Sequence, residues 1–282
     1  MVVEVHELVI NWHIREECNF DCYFCYAKYD QNSSFRRSYD LVLRDLARLA
    51  GKRIDLHPVP IRAERIRINF AGGEPFLDKQ LEPAIELAFE LGLAPSFITN
   101  GSMITEAFVH RYGPMIAVAG FSLDSFSSDA NRAIGRVSRQ GQEVKAADLK
   151  RVFEIFRVKS PKTLLKINTV VCPENVNEDM RMGLSELRPK RWKMLRVIPI
   201  HGGRAVSDEE FKAFVARHRD VPGAVVEDND DMHRSYIMID PQARFYQREG
   251  SGYLRSPPIT EVGAMEALRG VEFSVGVYAK RY

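Results

Sequence analysis

Short runs rich in β-branched and other apolar residues alternate along the chain with stretches whose apolar residues recur at helical spacing. The strand-like runs are Val5 to Ile14, Arg65 to Phe70, Pro95 to Thr99, Ile116 to Leu123, Thr163 to Val171, Trp192 to Ile200 and Ser235 to Ile239. Between them Tyr39, Leu43, Leu46 and Leu49 share one helical face, as do Leu149, Phe153 and Phe156. Alternating β and α elements predict an α/β fold around a parallel sheet, open or closed into a barrel. No linker of low complexity and no internal repeat divides the 282 residues. Late glycines and prolines (Gly250, Gly252, Pro257, Pro258, Gly263) predict a core over residues 1–240 and an irregular C-terminal extension over 241–282, together one structural domain.

A second pattern lies inside the strands. Polar residues stand at i and i+2 within apolar runs: Asn11 and His13, Arg67 and Asn69, Ser122 and Asp124, Lys166 and Asn168, Arg191 and Lys193. A period of two puts both members of a pair on one face. Parallel strands covered on both faces read instead as continuous apolar runs. A polar pair on strand after strand therefore predicts a shared wet interior, the lumen of an incomplete barrel; the alternative is strand ends pointing to solvent. Arg67, Lys166, Arg191 and Lys193 would repel one another there, by about 4 kcal/mol per contact at 4 Å in an effective dielectric near 20. A polyphosphate is a natural counter-ion, since lysine supplies a point charge and arginine forks onto two oxygens.

Composition is that of an ordinary globular enzyme, with 45% hydrophobic and 28% charged residues. A net charge of +2 is too weak to argue for nucleic acid or a membrane, so any anion site must come from local clustering. The chain enters its first strand without a signal segment, and no apolar stretch approaches a membrane span, which predicts a cytoplasmic protein. The acidic run Glu227 to Asp231 reads as a solvated turn rather than a metal-binding loop.

Three of the four cysteines, Cys18, Cys22 and Cys25, fall within eight residues. Such spacing suits a reducing compartment, where thiolates survive to bind metal. Structural zinc and purely electron-transferring four-iron clusters both take four ligands. Three thiolates on a four-iron cluster leave one iron open to bind something else. Cys172, in the apolar run after Thr169, reads as a small buried hydrophobe. The segment Asn69-Phe-Ala-Gly72-Gly73-Glu74-Pro75 ends a strand, where two glycines let backbone approach a ligand and a carboxylate can accept from an ammonium. Asn100-Gly101-Ser102 follows the next strand in the same way.

The C-x3-C-x2-C spacing resembles the radical S-adenosylmethionine (SAM) superfamily, in which SAM chelates the open iron through its amino and carboxylate groups. Phe24, before the last cysteine, stands at a position that is usually aromatic there and packs near the adenine. The segment around Gly72 resembles that superfamily's GGEP motif, which holds the SAM amino group. Further runs narrow the likeness: Asn11 to Cys22, Ile68 to Phe76, Asn100 to Ser102, Ser122 to Phe126, Ile134 to Arg136, Lys166 to Asn168, Arg191 to Lys193 and Ser235 to Asp240. In order and spacing they are similar to the viperin-like enzymes, from Asn11 to about Phe245.

That resemblance implies a partial (β/α)6 barrel with a 4Fe-4S cluster and SAM at its mouth. It also implies conversion of a ribonucleoside triphosphate (CTP, UTP or GTP) to its 3′-deoxy-3′,4′-didehydro analogue, an antiviral chain terminator. A 5′-deoxyadenosyl radical from SAM takes the 4′ hydrogen, the 3′ hydroxyl leaves as water, and one further electron and a proton complete the product. By the same likeness Cys18, Cys22 and Cys25 hold the cluster. Phe24, Gly72, Gly73, Glu74, Asn100, Ser122 and Arg136 meet SAM, with Arg136 facing its carboxylate. Asn11, Arg67, Lys166, Asn168, Arg191 and Lys193 meet the nucleotide, the cations on its triphosphate. Tyr236 matches a tyrosine near the ribose that delivers the last hydrogen or electron; its alternative is a packed strand tyrosine with a bonded hydroxyl. Implied partners are the nucleotide and an electron donor of flavodoxin or ferredoxin type, with neither nucleic acid nor membrane.

The chain also departs from the animal members. Arg67 replaces a lysine, Ala71 replaces a serine before Gly-Gly, and the likeness fades over Arg248 to Pro258. Neither the membrane anchoring by an amphipathic helix nor the tryptophan-ended tail of the animal members is expected here. These features suggest a prokaryotic member. Two other classes remain open: a radical SAM enzyme acting on another small molecule or a peptide, and a non-enzymatic iron–sulfur sensor.

Overall fold

A computed structural model describes residues 2–25, 33–199, 203–249 and 252–279. The first half of the chain runs β1 (Val3–Arg15), α1 (Phe35–Ala47), β2 (Arg53–Ile54), β3 (Ile61–Gly72), α2 (Leu81–Glu90), β4 (Ala94–Thr99), α3 (Glu106–Tyr112) and β5 (Val118–Ser122). Next come α4 (Ser128–Ile134), α5 (Ala146–Lys159), β6 (Leu164–Val171), α6 (Arg181–Leu187), β7 (Arg191–Arg196), α7 (Asp208–Arg217) and β8 (Ala224–Glu227). The chain then adds β9 (Ile237–Ile239), β10 (Arg244–Glu249), β11 (Gly252–Pro258) and three short helices, α8 (Ile259–Val262), α9 (Ala264–Ala267) and α10 (Val275–Ala279).

All the strands join one sheet in the order β11-β10-β9-β1-β3-β4-β5-β6-β7-β8, with β2 beside β3. From β9 to β8 every neighbouring pair is parallel, whereas β10 and β11 add on antiparallel. One face of the parallel strands is aromatic and lies under the helices. Trp12, Phe70 and Phe97 stand side by side in register, as do Phe121, Ile167 and Trp192. Phe153 of α5 packs on Phe121 with ring centres 5.0 Å apart. The other face carries the polar pairs. Alternation along each strand thus separates a dry outer layer from a polar interior.

Along the sheet β7 and β9 are six strand spacings apart, about 29 Å were it flat. Yet Lys193 Nζ on β7 sits 5.8 Å from the ring centre of Tyr236, next to β9. The sheet is therefore curled into a partial barrel, and no ladder joins β8 to β9 among the described residues. The seam of the barrel lies between them. No helix among the described residues is long and apolar enough to cross a membrane.

Six of the seven expected strands differ from the observed ones by a few residues at their ends, and the run from Ser235 shrinks to β9. The run from Trp192 stops at Arg196, and Ile200 lies outside the described residues, as do Gly250 and the last three residues. Four strands were not expected, the first being the two-residue β2. β8 has four residues and runs straight into the acidic segment; β10 is polar; β11 carries Pro257 and Pro258, which only an edge strand tolerates. The extension is thus more regular than its glycines and prolines suggest, because it borrows the edge of β9. The acidic run needs a correction as well: Glu227 is 1% exposed and belongs to the interior, not to a solvated turn.

Candidate active site

β1 leads into the loop that carries Cys18, Cys22 and Cys25. Backbone holds this loop from two sides. Gly73 N–H donates to Arg15 O and Glu74 N–H to Glu17 O, both at 2.9 Å. A Cβ on Gly72 would overlap Arg15 O, and one on Gly73 would overlap Glu17 O, so glycine is required at both. The close approach expected toward a ligand is made first toward the cysteine loop itself. Opposite, Asp21 and Tyr23 N–H donate to Gly135 O and Ile134 O at 3.2 and 3.0 Å, at the end of α4.

Donors face the sulfurs. Phe20 N–H lies 3.4 Å and Asn100 Nδ2 3.8 Å from Cys18 Sγ, and Arg136 Nη1 lies 3.8 Å from Cys22 Sγ. Burial raises both thiols, Cys22 to about 11, with Arg136 opposing the rise. Such donors stabilise thiolate charge once a metal has displaced the proton. No three His, Cys, Asp or Glu side chains among the described residues converge as one metal ion requires. The ligands of a four-iron cluster bind separate irons. The donor set fits a 4Fe-4S cluster.

Asn100, Ser122 and Arg136 line one cleft together with Phe20 and Asp124. Arg136 Nε pairs with Asp124 Oδ2 at 2.6 Å, while its Nη2 is buried without a hydrogen-bond partner among the described residues. Burial works against the guanidinium charge, but Asp124 and the Cys22 and Cys18 thiols outweigh it. An unmatched buried N–H beside the thiols suits a ligand carboxylate. Glu74 is fully buried and accepts from Thr99 Oγ1 and Asn100 N–H at 2.8 Å each, and from Phe76 N–H at 3.1 Å. Burial raises its carboxyl and these donors oppose the rise. Its oxygens tie the end of β3 to the end of β4. Phe24 is half-buried, with its ring edge-on to Tyr23 at 5.3 Å.

Inside the barrel Asn69 Nδ2 donates to Asn11 Oδ1 at 2.8 Å, Ser96 Oγ donates to Asn69 Oδ1 at 3.1 Å, and Asn11 Nδ2 reaches Ile237 O at 3.4 Å. This row links four neighbouring strands. Arg67 Nε donates to Glu7 Oε2 at 2.6 Å. Lys166 stands beside Arg191, and Asn168 beside Lys193, in register. Burial, then Lys193, Arg67 and Arg191, hold the Lys166 ammonium well below the usual lysine range, and Glu227 offsets part of this. The four expected cations do converge. Asn168 Oδ1 is buried without a hydrogen-bond partner among the described residues. Lys193 Nζ and the Tyr236 hydroxyl both contact the Glu227 carboxylate. Glu227 and Glu7 were not foreseen; extending the period-two pattern from Val225 and Val9 would have found both.

Residues 14–186 match the family model of the radical SAM superfamily. The chain is 36% identical to an S-adenosylmethionine-dependent nucleotide dehydratase of Pseudoalteromonas ulvae, over all of this chain and 94% of that protein. It is 31% identical to the corresponding protein of Oncorhynchus mykiss, over 96% of this chain and 78% of that one. Among solved structures, anSMEcpe with bound AdoMet superposes with a TM-score of 0.69 over 94% of this chain and 80% of that one. At 14% identity that likeness is one of fold alone. The thiol loop, the polar lumen and these matches place the chain in the radical SAM superfamily, within its S-adenosylmethionine-dependent nucleotide dehydratases.

Proposed function

We propose that the enzyme removes water from a ribonucleoside triphosphate, CTP, UTP or GTP, and releases the 3′-deoxy-3′,4′-didehydro analogue as an antiviral chain terminator. The observation that carries this reading is the placing of charge along the lumen. Arg67, Lys166 and Arg191 precede Asn69, Asn168 and Lys193 by two residues on the same strands, with Lys193 level with Asn168. Three of the four cations are thus the deeper members of their pairs. They lie about 7 Å deeper below the strand ends that carry the thiols. A triphosphate held deep by cations, with its sugar toward the cysteine loop, matches that gradient.

The cluster and SAM, when bound, supply the radical that takes a hydrogen atom from the sugar. On this reading Cys18, Cys22 and Cys25 hold the cluster, and Asn100, Ser122 and Arg136 hold SAM. Arg67, Lys166, Arg191 and Lys193 bind the phosphates and fix the sugar's depth; proximity of this kind is a major source of rate. Asn11 and Asn168 orient the sugar, and Tyr236 stands where the last hydrogen or electron is delivered. The hairpin of β10 and β11 closes the substrate site, and a cytoplasmic flavodoxin or ferredoxin serves as electron donor.

The test is anaerobic turnover of reconstituted protein with SAM and dithionite, offered ATP, CTP, GTP and UTP separately, with mass spectrometry of nucleotides and 5′-deoxyadenosine. The expected result is one nucleotide product lighter than its substrate by one water. Cleavage of SAM with every nucleotide unchanged would sink the substrate assignment and leave the radical chemistry standing.

A further inference from the structure

Three side chains span the barrel's open seam. Lys193 projects from β7, Glu227 ends β8, and Tyr236 immediately precedes β9. Lys193 Nζ contacts Glu227 Oε1 and the Tyr236 hydroxyl contacts Oε2, so one carboxylate serves both. Lys193 is 2% exposed and Glu227 1%. A buried carboxylate needs donors or a counter-charge to offset its lost hydration, and removing one partner of a buried ion pair strands the other.

We propose that Glu227 is a positioning residue of this site and the internal counter-charge of its cations, holding the Tyr236 hydroxyl in place and competing with substrate phosphate for Lys193. The inference rests on the nucleotide reading above. A carboxylate presents to an ammonium the same kind of oxygen acceptor that a phosphate does, so the two contend for Lys193 Nζ. The Glu227 charge also acts on Lys166 on the next strand. The carboxylate therefore sits within reach of half of the four-cation set. At its other oxygen it accepts from Tyr236, which fixes where that hydroxyl points. No ladder bonds hold the two strand edges here among the described residues, and the bridge is one of the contacts that fix the Tyr236–Lys193 spacing.

The experiment uses full-length reconstituted protein and two readouts, tripolyphosphate binding by calorimetry and product formed per 5′-deoxyadenosine. In Glu227→Gln, loss of one nearby negative charge should tighten tripolyphosphate about tenfold. Product per 5′-deoxyadenosine should fall about tenfold, and combination with Tyr236→Phe should add little further loss. Unchanged or weaker tripolyphosphate binding, or losses that multiply with Tyr236→Phe, would overturn the inference. Parent protein that binds no tripolyphosphate refutes the anion site itself, and this inference with it. Should Glu227→Gln fail to fold, Glu227→Asp decides. It keeps the charge but is one methylene too short to reach both partners, so binding should stay within about twofold while product yield falls about fivefold. Parent-like yield in Glu227→Asp counts against it.

Discussion

Lys166 is surrounded by the charges least favourable to it. Burial, Lys193, Arg67 and Arg191 lower its pKa well below 10.5, so the ammonium is lost at a pH where an ordinary lysine keeps it. Below that lowered pKa it is charged and, on the proposed reading, binds the substrate's phosphates. As pH rises through it, affinity falls. A bound triphosphate favours the charged form, so binding should take up protons, measurable by calorimetry in buffers of different ionisation enthalpy. Lys166→Ala should raise the nucleotide KM by about tenfold or more, as loss of a charged hydrogen bond does. Lys166→Arg should move the alkaline rise in KM to higher pH; a profile unchanged in that variant would count against the assignment. His13 shows the same effect in stability. Buried beside Tyr246, its imidazole is lowered from 6.5 to about 4 by loss of hydration. The unfolded chain therefore binds more protons between those values, and stability falls as pH drops through that window, by about 3 kcal/mol in all. His13→Gln should flatten the pH dependence of the urea midpoint there.

At the level of elements, the cysteine loop is a passenger on its neighbours. The end of β3 grips it through Gly72 and Gly73, and the end of α4 through Gly135 and Ile134. Gly73→Ala would push a methyl group into the Glu17 carbonyl, and overpacking of this kind costs about 1–3 kcal/mol. The damage should appear first as a fall in iron and sulfide bound per chain, with far-ultraviolet circular dichroism close to the parent's. Parent-like iron content would show that the loop tolerates the shift. The cysteine spacing and the Gly-Gly-Glu-Pro segment were both legible in the sequence. That one clamps the other was not, because backbone contact between distant segments leaves no periodic trace.

The whole molecule depends on its last forty residues more than their composition suggests. Tyr278 accepts from Val9 N–H at 3.0 Å and donates to Glu7 O at 2.6 Å, which ties α10 to β1. Phe245, Ile259, Leu268 and Phe273 are buried in the same core as β1. Removing residues 241–282 would expose this surface and the edge of β9 together. Such a shortened chain should lose cooperative thermal unfolding, as expected if the extension belongs to one structural domain. A shortened chain that still melts sharply near the parent temperature would show two separable units.

Much of the site was written locally. Three thiols in eight residues, a polar pair every second position and a Gly-Gly turn after a strand are short-range patterns, and the parallel sheet follows from the order of its elements. Alternation alone assigned Arg67, Lys166, Arg191 and Lys193 to one face, and the structure brings them together. Curvature could not be read in the same way. Whether a face of polar residues opens outward or encloses a lumen depends on how far the sheet curls, and that is set by packing summed over every strand. Only the curl brings β8 to β9, turns Glu227 from a turn residue into a buried bridge, and sets Tyr236 opposite Lys193.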